Sequence, residues 1–377
     1  MSSKVMHIIT GLNKGGAEML LVSLLSSSIH QRSSLIVVSL TGGGPLHKEI
    51  EQLGIPVYSL GMRRGVPSVS SLFTLCRIVR EFNPDVIQGW MYHANLLSLV
   101  AAKMCINTPL LFWGIFHCID DLSSKKLLLR VVVKTCAIFS KNITGIVNNS
   151  HKSVIQHEKL GYVNKHVTVI SNGIDTARFV PNQGARAGVC DELGIPDGSP
   201  LIGLIGRFDP LKDHSNFLSA ASKVSRNYSG ARFLLVGSGV DEGNSQLSET
   251  IEALGLCGKV FMLGERSDIP RLMAALDVSV SSSISEGTPV AIGESMACGI
   301  PCVVTNVGDS AALVGDCGLI VPPSDSEALA AAIVNLLSLT QDERVKMGLQ
   351  SRARVKEHYS LESFVDRFEG LYNGVYS

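Results

Sequence analysis

Two glutamates, Glu286 and Glu294, lie eight positions apart in the stretch from Ser285 to Gly308. Paired carboxylates can hydrolyse glycosides, but a retaining glycosidase holds its two carboxyl groups only about 5 Å apart. Because a helix rises about 1.5 Å per residue, the spacing fits better with an acid on a loop and an acid early in the following helix, both facing one ligand. The free N–H groups and positive dipole of the helix N-terminus would suit a phosphate. The alternative is a solvated helix that carries two unrelated acids.

Local signals predict the elements that hold these two acids. The run 275–283 is predicted to be a short buried strand that ends in polar residues. Thr288 is predicted to be the N-cap of the next helix and Pro289 its first residue. The helix is predicted to continue through Ala297, with Gly299 as the left-handed residue after it, and the strand 301–305 follows.

Two cationic residues, Arg207 and Lys212, follow a second predicted strand, Leu201–Ile205. Asp213 is predicted to cap the next helix, which spans Phe217–Arg226. An arginine can bind a pyrophosphate through two hydrogen bonds and a lysine adds a point charge, so the pair would suit a diphosphate group. A solvated basic pair in a connecting loop is the alternative interpretation.

A glycine loop near the N-terminus has the layout strand, loop, helix, which commonly binds phosphate. Val5–Thr10 is the predicted strand, Gly15 and Gly16 would let the backbone approach a ligand closely, and the helix is predicted from about Glu18. The Gly-x-Gly-x-x-Gly spacing is missing and no acid follows the next strand to bind an NAD ribose, so a dehydrogenase is disfavoured. A tight turn without a ligand is the alternative.

Two histidines, His93 and His117, follow predicted strands at Val86–Gln88 and Leu110–Gly114. Ligands of open α/β sheets bind beyond the carboxyl ends of the strands, so both side chains are candidates for a site. A structural role is more frequent for a single histidine, and it stays open for both.

The alternation of strands and helices predicts an α/β fold with parallel sheets that are covered on both faces. A chain of 377 residues exceeds the roughly 250–300 at which single cores stop growing, so two domains are expected. The glycine- and proline-rich stretch 181–200 is the predicted linker between them, and a final helix is predicted at Leu361–Tyr372.

Composition limits which binding partners and which cellular compartment are expected. The formal net charge of +0 gives no reason to expect nucleic acid as a partner. The 9 cysteines form no Cys-x-x-Cys pair and no leader is recognised, which favours reduced thiols in the cytoplasm. No apolar run of about 18 residues occurs, which predicts a soluble or peripheral protein. Residues 123–141 form a basic amphipathic segment that could lie on an anionic membrane, or could present an ordinary solvated face.

Four motifs together resemble the family 4 retaining glycosyltransferases. In chain order they are Gly15-Gly-Ala-Glu18, Ser171-Asn-Gly-Ile-Asp175, Gly206-Arg-Phe-x3-Lys212 and Glu286-x7-Glu294. The resemblance implies the GT-B fold, in which two Rossmann-like α/β domains face each other across a cleft and a C-terminal helix crosses back to the N-terminal domain. It implies an acceptor-binding domain over 1–180, a nucleotide-sugar-binding domain over 181–355 and the returning helix within 356–377.

The same resemblance implies a role for each candidate residue. Arg207 and Lys212 would bind the diphosphate and stabilise the charge of the leaving group. Glu286 would contact the hydroxyls of the donor sugar, and Glu294 would hydrogen-bond the nucleotide ribose. His117 would lie near the reacting sugar. Further contacts with the donor are implied for Gly15, Gly16, Gly287, Thr288, Pro289 and Val290.

The expected reaction is metal-independent transfer of a sugar, with retention, from a nucleotide-sugar to a lipid-linked or growing glycan. A UDP-sugar is expected rather than a GDP-sugar, and no cofactor beyond this co-substrate. Asp120 and Asp121 are adjacent, not spaced as Asp-x-Asp, and the charges of Arg207 and Lys212 can replace that of a metal. His93 has no firm counterpart in the family and would face the acceptor.

The setting most like this is bacterial capsule, lipopolysaccharide or exopolysaccharide synthesis. The acceptor would be linked to polyprenyl diphosphate, and the enzyme would be cytoplasmic, with peripheral contact at the cytoplasmic face of the membrane. One alternative is a nucleotide-sugar epimerase or hydrolase on the same fold, which would turn over the donor without an acceptor. A non-catalytic binding subunit is disfavoured, since none of the assigned charged positions is missing.

Overall fold

The computed structural model describes residues 3–27, 33–62, 68–119, 121–123 and 125–375 of the 377. The chain divides into two compact units. The first unit is Met1–Gly173 together with Leu361–Ser377, and the second unit is Ile174–Ser360. Each has its own parallel sheet, so the predicted pair of Rossmann-like α/β units is confirmed.

The first unit is built on one parallel sheet. Its strands are β1 Lys4–Ile9, β2 Ser34–Ser39, β3 Val57–Ser59, β4 Val86–Trp90, β5 Leu110–Ile115, β6 Gly145–Asn148 and β7 Val167–Val169. Its helices, in the residues described, are α1 Gly16–Leu25, α2 Pro45–Gln52, α3 Val69–Phe82, α4 Tyr92–Met104, α5 Leu127–Phe139, α6 His151–Lys159 and, from the end of the chain, α15 Leu361–Tyr372. The strand order is β3-β2-β1-β4-β5-β6-β7.

Helices cover both faces of this sheet, because successive side chains of its apolar strands point to opposite faces. Along β1, Met6 and Ile8 join a core that includes side chains of α3, α4 and α5. Val5 and Ile9 join a second core, with side chains of α1, α2 and α15. The residues that follow each strand are thereby left at the carboxyl edge of the sheet.

The last helix, α15, packs against the sheet of the first unit, as predicted. Phe364, Phe368 and Tyr372 lie on one face of this helix and share a core with Trp90 and Phe112. The ring centroids of Trp90 and Phe368 are 6.0 Å apart in a stacked arrangement. Those of Phe112 and Tyr372 are 6.2 Å apart. The end of the chain is therefore part of the first hydrophobic core.

The second unit is built on another parallel sheet. Its strands are β8 Leu201–Ile205, β9 Arg232–Val236, β10 Val260–Met262, β11 Val278–Ser281, β12 Cys302–Thr305 and β13 Gly318–Val321. Its helices are α7 Ala185–Leu193, α8 His214–Asn227, α9 Ser245–Ala253, α10 Ile269–Ala274, α11 Val290–Ala297, α12 Ser310–Val314, α13 Ser326–Ser338 and α14 Gln341–His358. The strand order is β10-β9-β8-β11-β12-β13, so the order reverses at β8, where such sheets form ligand-binding crevices.

The starts of two helices determine the surroundings of residues singled out in the sequence. α4 begins at Tyr92, so His93 lies in the first turn of a helix and not in a loop. α8 begins at His214, directly after Asp213, whose carboxylate caps the helix as predicted. Helix α8 therefore begins earlier than the predicted Phe217, because its first turn is polar and falls outside the apolar repeat from which helix starts are predicted.

Helix α11 begins one residue later than predicted. Pro289 is its N-cap and Val290 its first residue, so the prediction of Thr288 as the cap is wrong. The preceding loop stays extended because its carbonyl group at Gly287 accepts a hydrogen bond of 2.8 Å from Asp309 N, a contact outside the helix.

The stretch 181–200, predicted to be an open linker, contains helix α7 instead. Val189 and Cys190 of this helix are buried in the core of the second unit, and Gly194 ends it in the left-handed conformation with φ 63°. Glycine and proline here mark the ends of a helix and not a flexible connection. The first compact unit ends at Gly173, whereas the sequence predicts a domain boundary after residue 180.

Helix α14 is 18 residues long and rich in charged side chains. Within the described part of the chain, no helix combines the length and the apolar character needed to cross a bilayer.

Phe368→Ala is expected to destabilise the first unit by about 3–5 kcal/mol, because it removes a fully buried ring from the core under α15. Both tryptophans, Trp90 and Trp113, lie in this unit, so their fluorescence during urea unfolding reports on it alone. The control is Phe73→Ala, whose ring is 73% exposed on α3. A urea midpoint that moves no more than in the control would contradict a structural role for α15.

Candidate functional site

A lysine and a glutamate meet at the carboxyl edge of the second sheet. Because β8 and β11 are neighbouring parallel strands, the segments that follow them lie side by side. Lys212 Nζ lies 2.5 Å from Glu286 Oε1, and Ser283 Oγ donates to the same oxygen at 2.7 Å. The two charged side chains are 28% and 12% exposed, so the ion pair is partly withdrawn from water, where its attraction is stronger.

A small cavity of about 30 Å³ lies at this edge of the sheet. Its lining includes Lys212, Glu286 and Pro289, together with the serines that follow β11. Three of the residues predicted from the sequence are thus brought to one space, although they come from two separate loops.

The loop that carries Glu286 is supported from behind by the segment after β12. Gly308 has φ 57°, and a Cβ there would lie 2.3 Å from the carbonyl oxygen of Glu286 and 2.4 Å from that of Gly287. Only glycine fits this position without displacing the loop. Gly308 closes the stretch around which the motif was recognised, but its role in holding Glu286 was not predicted.

Ser282 connects the two loops of the site. Its hydroxyl group donates to the carbonyl oxygen of Lys212 at 2.8 Å and lies 3.0 Å from that of Asp213. Asp213 has a left-handed backbone, φ 48°, and its side chain accepts the N–H of Asn216 at the start of α8. The backbone of Lys212 is therefore fixed by a helix cap on one side and by the neighbouring loop on the other.

Arg207 has a different carboxylate partner. Its Nε and Nη2 atoms donate to Asp209 Oδ2 at 3.1 and 2.9 Å, while its side chain is 69% exposed. The backbone N–H of Leu211 and the guanidinium of Arg207 lower the pKa of Asp209, so this carboxyl group is ionised. Asp209 was not predicted as the partner of Arg207. Its position between Arg207 and Lys212 in the sequence could have indicated this ion pair.

Glu294 lies inside α11 and is not among the residues that line the cavity beside Lys212 and Glu286. Burial raises the pKa of its carboxyl group to about 7, and the positive charge of Arg178 opposes this shift only in part. The ionised and neutral forms are therefore both populated near neutral pH. A carboxyl group in this state can exchange a proton when a hydrogen-bond donor or a charge arrives beside it.

The two predicted glycines of the first unit differ in their surroundings. A Cβ at Gly15, the N-cap of α1, would lie 2.4 Å from Glu18 Oε2, so the carboxylate of Glu18 folds over this position. At Gly16, an added Cβ would meet no atom within 4 Å among the residues described. A side chain at Gly15 would have to displace the carboxylate of Glu18, whereas Gly16 is open to a close approach.

His117 lies in the loop after β5, where its side chain is exposed. Its carbonyl oxygen lies 3.3 Å from Ser153 Oγ, and the next residue but one, Ile119, donates its N–H to Gln156 Oε1 at 2.9 Å. His93, in the first turn of α4, is half-buried, and burial lowers its pKa. Of the adjacent acids weighed as a metal motif, Asp120 lies outside the described residues.

Known families match both halves of the chain. The family described as Glycosyltransferase Family 4 matches residues 14–178, and the family described as Glycosyl transferases group 1 matches residues 199–339. The chain belongs to the family 4 glycosyltransferases. The first range contains Gly15, Gly16 and His117, and the second contains Arg207 with Lys212 and the two glutamates.

Two proteins of named activity are similar to this glycosyltransferase over most of its length. The UDP-Gal:alpha-D-GlcNAc-diphosphoundecaprenol alpha-1,3-galactosyltransferase of Escherichia coli is 26% identical over 318 residues, or 81% of this chain and 80% of that protein. The N,N'-diacetylbacillosaminyl-diphospho-undecaprenol alpha-1,3-N-acetylgalactosaminyltransferase of Campylobacter jejuni is 28% identical over 320 residues, 81% of each chain.

A solved structure has the same fold. The crystal structure of Anabaena Alr3699/HepE in complex with UDP matches the glycosyltransferase with a TM-score of 0.84 and 23% identity, over 98% of this chain and 100% of that one. The predicted GT-B class, α/β with two Rossmann-like domains, is thereby confirmed.

Glu294→Gln is expected to make the second unit more stable than wild type as the pH rises. The folded-state pKa of Glu294 is about 7 against an ordinary value of 4.5, so the fold favours the neutral carboxyl group. Its contribution to stability is present at low pH and is lost as the pH rises through about 7. Between pH 5 and pH 8 the difference in unfolding free energy between variant and wild type should grow by about 2 kcal/mol.

Urea unfolding followed by circular dichroism at the two pH values measures this difference. Glu249→Gln, an exposed glutamate on α9, is the matched control. A difference that stays constant between pH 5 and pH 8 would mean that Glu294 is not buried as the structure has it.

Proposed function

We propose that this glycosyltransferase transfers a sugar, with retention, from a nucleotide-sugar to a glycan acceptor linked to polyprenyl diphosphate, or to a growing glycan, in bacterial surface polysaccharide synthesis. The observation that carries the proposal is the Lys212–Glu286 pair, with Arg207 close by in sequence, at the carboxyl edge where the order of the second sheet reverses. Lys212 can bind a phosphate group and Glu286 can bind hydroxyl groups, and the two side chains are hydrogen-bonded to each other.

The cations provide for the leaving group. Breaking the bond between the sugar and the diphosphate puts negative charge on the nucleoside diphosphate, and fixed cations beside that charge stabilise the transition state. Arg207 can offer two parallel N–H donors and Lys212 a compact charge. Each now pairs with a carboxylate, Asp209 or Glu286, and a bound diphosphate would take over these cations.

The carboxylates provide for the sugars. When Lys212 turns to phosphate, Glu286 keeps the hydrogen bond from Ser283 and has lone pairs for the hydroxyl groups of the donor sugar. Glu294 in its ionised form would accept hydrogen bonds from the ribose. The backbone of Gly287, Thr288, Pro289 and Val290 leads into the N-terminus of α11, whose free N–H groups favour phosphate.

The first unit contributes two further positions to the proposal. Gly16 has room for a donor to approach the backbone closely, and His117, which is exposed in the loop after β5, is proposed to lie near the reacting sugar. Gly15 is the extended N-cap residue of α1, so Gly16 is the first residue of this helix. His93 is proposed to face the acceptor.

Relatives support the choice of donor and acceptor. The Escherichia coli relative uses UDP-Gal and a diphosphoundecaprenol-linked sugar, and the Campylobacter jejuni relative uses a diphospho-undecaprenol-linked sugar. The HepE structure contains UDP. We therefore favour a UDP-sugar over a GDP-sugar, with no cofactor beyond this co-substrate, and we propose metal-independent catalysis because two fixed cations can meet the diphosphate charge.

Arg207→Ala and Lys212→Ala are each expected to lower turnover by about 10²–10³, because each removes a fixed cation from the developing charge of the leaving group. Purified enzyme is incubated with UDP-, GDP- and ADP-sugars, a polyprenyl-diphosphate-linked sugar and EDTA, and the released nucleotide is measured. The exposed residues Arg226 and Lys346 supply matched controls, Arg226→Ala and Lys346→Ala.

Several outcomes of this assay would contradict the proposal. Full turnover in Arg207→Ala and Lys212→Ala would remove the diphosphate site from this edge of the sheet. Strict dependence on a divalent metal would overturn metal independence, and an inverted anomeric configuration in the product, read by NMR, would overturn retention. Equal nucleotide release with and without acceptor would favour a nucleotide-sugar hydrolase.

Helix α5 supports a peripheral contact with an anionic membrane. Its buried face contributes Val132 and Val133 to the core, whereas Leu127, Val131 and Ile138 are 72%, 53% and 67% exposed. Exposed lysines, at positions 125, 126, 134 and 141, lie among these apolar side chains. Exposed apolar groups surrounded by positive charge match the interface of an anionic bilayer, where a polyprenyl-linked acceptor would be found.

The double variant Lys126→Gln/Lys134→Gln is expected to weaken binding to vesicles that contain phosphatidylglycerol by roughly tenfold or more, since each lysine near such a surface contributes about 1 kcal/mol. Co-sedimentation measures the binding, and Lys346→Gln/Lys356→Gln on α14 is the control pair. Equal binding to pure phosphatidylcholine vesicles, or no effect of the α5 substitutions, would contradict the membrane contact.

A further inference from the structure

The geometry points to Gln156, on α6, as a positioning residue that fixes the loop of His117 for catalysis. This inference rests on the proposed function, in which His117 works beside the reacting sugar. Nothing in the motifs that identify the family includes α6, and Gln156 lies 39 positions after His117 in the sequence. Its contact with the loop is visible only in the folded chain.

Three successive residues of the loop are contacted by the N-cap and one face of α6. The carbonyl oxygen of His117 lies 3.3 Å from Ser153 Oγ. Cys118 Sγ lies 3.6 Å from Ser150 Oγ, and Ile119 donates its N–H to the side chain of Gln156 at 2.9 Å. The three contacting positions, 150, 153 and 156, are three apart and so lie along one side of the helix.

Gln156 makes the shortest and least ambiguous of these contacts. The hydroxyl group of Ser153 has a single proton, and it lies closer to Asn148 Oδ1, at 2.9 Å, than to the carbonyl group of His117. Gln156, in contrast, accepts directly from a backbone N–H of the loop. Ile119 is also 5% exposed and packed in the core, so the far end of the loop is fixed both by this hydrogen bond and by burial.

The helix that presents Gln156 is itself firmly held. Ser150 caps it by accepting the N–H of Ser153 at 3.1 Å. His157 is buried, and burial lowers its pKa, so its ring is neutral. Its Nδ1 donates to the carbonyl oxygen of Ser153 at 2.7 Å, which leaves Nε2 to accept from the hydroxyl group of Tyr92 at 2.8 Å. The side chain of His157 is therefore used in anchoring α6 to α4.

These contacts matter because the histidine itself is exposed. A side chain on a loop is positioned no more firmly than the backbone that carries it. The carbonyl group of His117 and the N–H of Ile119 are the backbone groups nearest to this side chain that α6 contacts. Displacement of a reacting group by about 1 Å can cost about 10² in rate, so a looser loop should lower turnover more than donor binding.

Gln156→Met is expected to lower kcat on the order of tenfold, with less than about a twofold change in the KM for the donor, because methionine keeps the side-chain length and removes the acceptor oxygen. Gln156→Glu keeps an acceptor oxygen at this position and is expected to retain most of the wild-type kcat. The amide hydrogen of Ile119 should exchange faster in Gln156→Met than in wild type. Gln52→Met, an exposed glutamine at the end of α2, is the matched control.

A double-mutant cycle with His117→Ala separates this inference from the proposed function. If Gln156 acts through His117, Gln156→Met should add no further loss of kcat in the His117→Ala background. Wild-type kcat in His117→Ala alone would overturn both the proposed role of His117 and the inference. An impaired His117→Ala beside an unimpaired Gln156→Met would overturn the inference and leave the proposed function standing.

Two other results would also overturn the inference. One is an equal loss of kcat in Gln156→Met and Gln156→Glu, which would show that the acceptor oxygen is not the relevant group. The other is a loss of kcat that multiplies with that of His117→Ala in the double variant, which would assign Gln156 an effect of its own.

Discussion

The parallel pairing of β8 with β11 is the constraint on which the candidate site depends. These strands are far apart in sequence, yet they are neighbours in the sheet because the strand order reverses at β8. The pairing brings Lys212 to Glu286, 74 positions later, without a long loop on either side. Ser282 and Gly308 then hold the two short loops in place. Without this pairing, neither charge would have its partner at hydrogen-bond distance.

The site also carries features that oppose folding. Glu294 places a carboxyl group inside a helix where burial raises its pKa to about 7, and Gly308 keeps a left-handed backbone that no larger residue would share easily. Natural proteins depart from local rules of stability mainly where function requires it. The rest of the second unit offsets this loss of stability, because hydrophobic cores that include helix residues lie on both faces of its sheet.

The sequence predicts an element well where its ends are determined locally. Helix α3 is such an element, because Ser68 caps it and Asn83 ends it with φ 47°. The residue types of the site were also predictable, since Arg207, Lys212 and the glutamates belong to motifs. Their partners were not, because a contact such as Gln156 with Ile119 depends on which elements pack together. The helix in 181–200 was missed because its capping glycines resemble those of a linker.

The return of α15 to the first unit has a consequence for synthesis of the chain on the ribosome. The second unit is one continuous segment, Ile174–Ser360, whereas the first unit is interrupted by it. Ile174 donates its N–H to the carbonyl oxygen of Tyr359 at 2.8 Å, so the two ends of the continuous segment meet in the fold. All residues of the second unit leave the ribosome before Phe364 and Phe368, which complete a core of the first unit. The first unit is therefore the last to finish folding, and the face of its sheet that α1 and α2 cover stays incompletely covered until α15 has been synthesised.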